Sequence, residues 1–247
     1  MSNWTQAKVV NKTLWTPQLL SLQFDADILP FKAGQFLRIG MDVDGERLGR
    51  PYSLVNAPAD RPYEIYFNLV DDGHLTMHLR KLEVGDSFWV DRSALGFLVL
   101  DEIPDANQLW LMASGSGIGP FISIINSDEV WGRFDHIVLC HSVRYAADLS
   151  YKDVIDKVSR THDGRLIYIP LVSREQDANT LNGRLPTNIE NGELEQRAGY
   201  TLSAGNSHVM LCGNSGMIES VTAMLHKRGM HRHRRKDPGH ISSERYF

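Results

Sequence analysis

Gly115, Gly117 and Gly119, followed at once by Pro120, carry the clearest chemical signal in this chain of 247 residues. An apolar run at Gln108–Ala113 leads into them as a strand, and Pro120–Ile125 leaves them as a helix. Glycines let a backbone come close to a phosphate, and a helix start adds free N–H groups and the positive end of a dipole. Proline fits the first helical turn, where its missing N–H is not needed. The spacing is Gly-x-Gly-x-Gly-Pro, unlike the Gly-x-Gly-x-x-Gly of ordinary dinucleotide folds. Read alone, the turn is a phosphate-compatible corner and no more.

Arginines follow other strands of the same region. In nucleotide folds that select NAD, an acid after the second strand holds the ribose 2′-hydroxyl. Here that strand runs into His141-Ser142-Val143-Arg144, the next into Val172-Ser173-Arg174-Glu175, and Arg184 follows in Asn182-Gly183-Arg184. A guanidinium fork suits a phosphate monoester, which favours NADP over NAD. Surface ion pairs are the other reading of the same residues.

Further chemistry is spread along the chain. Arg50-Pro51-Tyr52-Ser53 combines a cation for a pyrophosphate, a ring for a flat aromatic ligand and a hydroxyl for a ring nitrogen. Asp72-Gly73-His74-Leu75-Thr76 leads into a helix and is a second anion candidate, or a plain capped helix start. Met210-Leu211-Cys212-Gly213-Asn214 ends a strand, and Cys212 is small enough for a ring to lie against it; a buried structural cysteine is the alternative. Cys140, in mid-strand, is read as structural. Glu244-Arg245-Tyr246-Phe247 puts two aromatics at the end of the sequence, where they would either stack on a ligand or fray.

Two kinds of framework are needed to hold these groups. Short alternating runs at Gln6–Val10, Leu20–Phe24, Gln35–Ile39, Tyr52–Val55, Tyr63–Val70 and Ser87–Val90 are punctuated by turn residues such as Asp44-Gly45. They predict an N-terminal antiparallel β-barrel, interrupted by one helix at His74–Leu82. Beyond Asp101–Asp105, strands at Gln108–Ala113, His136–Cys140, Arg165–Leu171 and His208–Cys212 alternate with helices at Pro120–Ile125, Leu149–Arg160, Pro186–Glu190 and Gly216–Lys227. That alternation predicts a C-terminal α/β domain on a parallel sheet. The fold class is therefore β followed by α/β, with residues 1–102 and 103–247 as the two domains.

Composition sets limits. Hydrophobic residues at 42% and charged residues at 23% are globular values. No apolar stretch is long enough to span a membrane and Met1–Val10 is not a signal peptide, so a cytoplasmic home is expected. Two cysteines without paired spacing argue against a zinc or iron–sulfur centre, and the ten histidines form no metal-binding motif. Net charge is −4, yet residues 226–247 hold seven Lys/Arg against two acids. That segment is either a solvated basic face or an attractor for an acidic partner; nucleic acid fits the overall charge poorly.

Taken in order, Arg50–Ser53, Gly115–Pro120, the run His141–Tyr151, Val172–Glu175, Val209–Asn214 and the aromatic end resemble the ferredoxin–NADP reductase family, and its bacterial ferredoxin/flavodoxin–NADP reductases most. The resemblance spans essentially the whole chain. It implies an FAD-binding barrel followed by an NADP-binding domain. By that likeness Arg50, Pro51, Tyr52 and Ser53 hold FAD, with Tyr66, Phe67, Asn68 and Leu69 flanking it. His74, Leu75 and Thr76 would meet its pyrophosphate, and Ser116, Tyr246 and Phe247 would complete its site. Val143, Arg144, Ser173, Arg174, Arg184, Met210, Cys212, Gly213 and Asn214 would hold NADP. Ser53, Cys212 and Glu244 take the catalytic positions.

The resemblance further implies hydride transfer from NADPH to the flavin, then single electrons to an acidic ferredoxin or flavodoxin from a monomeric enzyme. It leaves open which ring Tyr246 and Phe247 stack on. Two rival readings remain at this point. One is the reductase component of an oxygenase, although the cysteines of an attached iron–sulfur module are missing. The other is a non-enzymatic nucleotide-sensing module.

Overall fold

A computed structural model of the chain describes residues 3–70 and 73–246. Its first half is a six-stranded antiparallel sheet of β1 (Trp4–Thr16), β2 (Leu19–Ala26), β3 (Phe36–Val43), β4 (Glu46–Ser53), β5 (Tyr63–Asn68) and β6 (Ser87–Asp91). The spatial order is β4-β3-β6-β1-β2-β5. The two ends of the sheet are drawn together by a bridge between Leu54 and Ile65 and by the Val55 N–H to the Glu64 carbonyl at 2.9 Å. Alternate residues such as Leu22, Phe24, Leu37, Ile39, Ile65 and Phe88 fill the interior, as a period of two requires. Helix α1 (His74–Lys81) sets Leu75 and Leu79 into that same core.

Strand β4 departs from the expectation of Tyr52–Val55 by starting at Glu46. Asp44 (φ 52°) and Gly45 (φ 83°) both occupy the left-handed region, which makes a tight hairpin whose twist suits paired strands. The polar residues after it form an edge strand against β3. An edge strand tolerates Pro51, opposite Arg38, because its lack of an N–H costs no ladder bond on the open side.

The second half is a parallel sheet of β7 (Gln108–Ser114), β8 (His136–Val143), β9 (Leu166–Val172), β10 (Leu181–Asn182), β11 (Ser207–Asn214) and β12 (Ile241–Tyr246), in the order β10-β9-β8-β7-β11-β12. Helices α2 (Gly119–Ile125), α3 (Asp128–Arg133) and α4 (Lys152–Thr161) share one core with one face of the sheet; α5 (Leu185–Glu190), α6 (Glu193–Ala198) and α7 (Ser215–Lys227) cover the other. Central strands are apolar on both faces, as burial between two helical layers demands. Short α3 and α6 and the polar strand β12 were not anticipated from the sequence.

One core crosses between the halves. Leu19, Val55 and Tyr66 of the barrel pack with Leu98 and Leu100 of the connecting segment and with Leu111, Phe121 and Ile155 of the parallel-sheet half.

Candidate active site

The strand order reverses between β7 and β11, and ligands bind open α/β sheets beyond the strand ends at such a switch point. The glycine-rich corner lies there. It forms a single 3₁₀ turn over Gly115–Ile118 and passes directly into α2, with Pro120 in the first turn. His141, fully buried on β8, bonds the Gly115 carbonyl through Nε2 at 3.0 Å. A carbonyl only accepts, so Nε2 carries the proton. Burial pushes the pKa of this imidazole down to about 4, and the ring is neutral.

Two glycines permit β7 and β11 to close on each other. A Cβ on Gly117 would overlap the Cys212 carbonyl, and Gly213 (φ 130°) packs its backbone against Ser114. The Asn214 N–H then donates to the Ser114 Oγ at 2.8 Å. The Asn214 side chain caps α7 by accepting from the N–H groups of Gly216 and Met217.

Ser53, Cys212, Glu244 and Tyr246 converge at this crevice. Parallel pairing of β11 with β12 sets Glu244 beside Cys212 and Tyr246 beside Asn214. The Tyr246 hydroxyl reaches across to the Ser53 Oγ at 2.8 Å. Glu244 is half-buried next to Gly96. Burial pushes its carboxyl up to about 7, against the opposing effect of a hydrogen bond from Ser53. The Cys212 thiol is driven well above its ordinary range by burial, and then by the nearby Glu244 charge, so it stays protonated. It is a packing surface and not a nucleophile.

The barrel supplies the opposite wall. One step from the Leu54–Ile65 bridge, Tyr66 falls opposite Ser53. The Tyr66 hydroxyl bonds Ser150 of the other half at 2.8 Å. Tyr52 stands edge-on to Phe67 at 5.4 Å. Arg50 is exposed, and its guanidinium donates to the neighbouring Gly49 carbonyl at 3.0 Å. Asn68 faces Gly115. Ser116 is buried in the turn.

Several expected ligand residues turn their side chains elsewhere. Phe67, Leu69 and Leu75 belong to the barrel core, Met210 to the core shared by the halves, and Val143 to a small cluster with Leu149 and Val172. These side chains leave only their main chain to a ligand. The Thr76 hydroxyl is engaged with the Gly73 carbonyl at 3.2 Å, while His74 opens the helix. Asp72 and Phe247 lie outside the described residues.

The arginines gather along the next strand ends. Val143 pairs with Val172, and Val172 with Asn182. Arg144 and Arg174 are joined by a backbone bond at 2.9 Å, and the Ser173 hydroxyl donates to the Val143 carbonyl. Arg184 sits immediately before α5. All three arginines are exposed, and none forms an ion pair among the described residues. The basic segment after α7 behaves differently. Arg228 pairs with Glu195, Arg235 with Glu102 and Arg245 with Glu219, whereas Arg232 and Arg234 line a depression of about 410 Å³ with His226, His231 and Asp237. That depression lies toward the beginning of β12, away from Ser53. Among the described residues no group of three or more His, Cys, Asp or Glu is placed to hold a metal.

The sequence marked His141, Ser150 and Tyr151 only as part of a run that carries the resemblance and gave them, like Glu64, no role, yet they tie the corner and the two halves together. Their partners are a carbonyl and side chains some 26 to 87 residues away, which no local pattern reveals.

Residues 6–94 match a family described as an oxidoreductase FAD-binding domain, and residues 111–223 one described as an oxidoreductase NAD-binding domain. The flavodoxin/ferredoxin–NADP reductase of Escherichia coli (strain K12) is 43% identical over 248 residues, covering 100% of both chains. The chain belongs to the flavodoxin/ferredoxin–NADP reductase family. The ferredoxin–NADP reductase of Pseudomonas aeruginosa is 34% identical over 257 residues, covering 100% of this chain and 99% of that one. A crystal structure of the ferredoxin NADP+ reductase from Neisseria gonorrhoeae with bound FAD and NADP superposes with a TM-score of 0.94 at 30% identity, covering 100% of both chains. The two halves of this chain are in contact through one shared core. Here they are fastened by Tyr246 to Ser53, Tyr66 to Ser150, Tyr151 to Glu64 at 2.7 Å and Ser123 to the Asn56 carbonyl at 2.8 Å.

Proposed function

We infer that the chain is an FAD-dependent oxidoreductase that moves electrons between NADP(H) and ferredoxin or flavodoxin. The observation that carries this reading is the convergence of Ser53 from one half with Glu244 and Tyr246 from the other, at the sheet's switch point. The full-length likeness to named reductases supports it.

Both groups fit the residues present. Arg50, without a carboxylate partner among the described residues, suits a pyrophosphate, and Tyr52, Ser53, Tyr66 and Tyr246 present rings and hydroxyls where a flat heterocycle would lie. Arg144, Arg174 and Arg184, also without carboxylate partners among the described residues, suit the 2′-phosphate of NADP. When bound, the flavin accepts a hydride from NADPH and hands on electrons singly. The protein orients and insulates. Ser53 holds a hydroxyl toward the reacting ring. Tyr246 closes the crevice to water until a nicotinamide takes its place. Glu244 holds a proton below pH 7 and offers a carboxylate above it.

We propose that the division between the halves falls between residues 102 and 103, in the segment joining β6 to β7. The chain is proposed to act as a cytoplasmic monomer that does not bind nucleic acid. Among the described residues no helix is long and apolar enough to cross a membrane. The cationic group around Arg232 and Arg234, lying away from Ser53, is proposed to steer an acidic carrier from a distance and not to touch it at the flavin. The test is direct. Purified protein should be yellow, should bleach with NADPH, and should reduce ferredoxin or flavodoxin with a rate that falls with salt. A colourless protein that cannot be reconstituted with FAD refutes the reading.

A further inference from the structure

The geometry points to a redox-active relay of Tyr66, Tyr151 and Trp15 that draws an electron hole away from the flavin site, with Glu64 taking the phenolic proton of Tyr151. This rests on the reading that FAD is held beside Ser53 and Tyr66.

Tyr151 is the starting observation. It is a non-glycine residue in the left-handed region (φ 62°, ψ 19°) at the entry to α4, and its side chain caps no helix N–H. Such a conformation is unfavourable for a residue with a side chain and persists only where the surroundings impose it. Here they do so through the side chain. The ring is 5% exposed, lies 4.6 Å from Trp15, and meets Tyr66 edge-on at 5.2 Å; Trp15 and Tyr66 are themselves 6.2 Å apart. Three rings from distant segments, two of the barrel and one of the parallel-sheet half, are thus brought into near contact. One end of the cluster is Tyr66, opposite Ser53. The other is Trp15, which is half-buried, with its indole N–H on the Ser21 Oγ at 3.1 Å.

The hydroxyls differ in what they face. The Tyr66 hydroxyl meets Ser150 and no carboxylate among the described residues. The Tyr151 hydroxyl donates to the Glu64 Oε1 at 2.7 Å, and the Glu64 Oε2 accepts from the Gln23 Nε2 at 3.0 Å. Burial and the Glu64 charge both hold the phenol protonated. A tyrosine that loses an electron becomes a strong acid, so a fixed carboxylate on its hydroxyl determines where the hole settles.

The step balances with one named oxidant, photoexcited oxidised flavin. One electron passes from the ring cluster to the flavin. The Tyr151 O–H bond breaks, its proton joins Glu64, and a neutral phenoxyl radical remains on Tyr151. Return of the electron and proton restores both groups. The same contacts used only as adhesive between the halves would stabilise the fold without any optical signature.

Transient absorption on the oxidised holoenzyme separates these roles. After excitation, wild type should show a tyrosyl radical whose formation slows in D2O. In Tyr151→Phe and in Glu64→Gln the charge-separated state should recombine at least about tenfold faster, a barrier change of roughly 1.4 kcal/mol. Trp15→Phe should remove any indole radical. Reduction by NADPH in the dark should be unchanged in all three variants. The D2O measurement needs no variant, so a substitution that fails to fold leaves the test intact. A holoenzyme that bleaches normally with NADPH, yet shows no tyrosyl signal and no solvent isotope effect, overturns the relay alone. Protein that takes up no flavin overturns the functional reading along with it.

Discussion

The hydroxyl of Tyr246 donates to the Ser53 Oγ at 2.8 Å, joining residues 193 positions apart and belonging to different sheets. Ser53 is thereby aimed into the crevice while Tyr246 covers it. Ser53→Ala is expected to slow NADPH-dependent flavin reduction about 10- to 100-fold, the worth of one well-placed hydrogen bond, with little change in NADP+ affinity. Stopped-flow traces matching wild type would contradict this. Tyr246→Ala should instead tighten NADP+ binding about tenfold, since no ring has to be displaced; an unchanged titration would rule that out.

Arg174 is exposed beside Arg144 and forms no ion pair among the described residues. Its removal should therefore cost little stability. Arg174→Ala is expected to weaken NADPH by about 10- to 100-fold through loss of a charge-assisted contact to phosphate, and to leave NADH use nearly as it was. Equal losses with both nucleotides would remove Arg174 from the 2′-phosphate site.

Glu244 should make the reaction pH-sensitive near neutrality. Its carboxyl titrates at about 7 because burial disfavours the charge. A nicotinamide gains positive charge as it gives up hydride, and a carboxylate beside it stabilises that charge. The rate of NADPH oxidation is expected to rise with pH through about 7, and Glu244→Gln should flatten the profile. For stability the sign is opposite: the folded chain holds this proton between the ordinary carboxyl value and 7, so the contribution of Glu244 declines as pH rises through that window.

His141 should act in the other direction. Its imidazole titrates at about 4 when folded, so from about 6.5 downward the unfolded chain binds the proton first, and stability falls. Between pH 7 and 5 this amounts to about 2 kcal/mol. His208, buried and pushed down to about 3, adds a loss of the same sign. His141→Gln keeps a donor for the Gly115 carbonyl and does not titrate. Urea midpoints at the two pH values should therefore differ less in that variant than in wild type; an equal difference would show that the ring is not the source.

The barrel and the parallel sheet were legible because burial writes itself into spacing: alternation in β2 and β5, unbroken apolar runs in β7 and β11, and turns at Asp44-Gly45 and around Gly115–Gly119. Strand β12 was not. In Ile241–Tyr246 only Ile241 is buried, and the strand is held by backbone pairing with β11 rather than by an apolar pattern. Ser53 was singled out for its hydroxyl and by resemblance, and Glu244 by resemblance, but that the Ser53 hydroxyl would rest against Tyr246 depends on register across the two sheets. The left-handed Tyr151 had no local sign, since its conformation is imposed by rings from elsewhere.

The core in which Leu19, Val55 and Tyr66 meet Leu111, Phe121 and Ile155 has a practical consequence. Cutting the gene between β6 and β7 would give each fragment a bare oily flank. The cofactor-carrying barrel of this chain is therefore a poor cassette for transplantation: excised alone it should aggregate, and it would need its mate, or a redesigned flank, to be expressed in usable form.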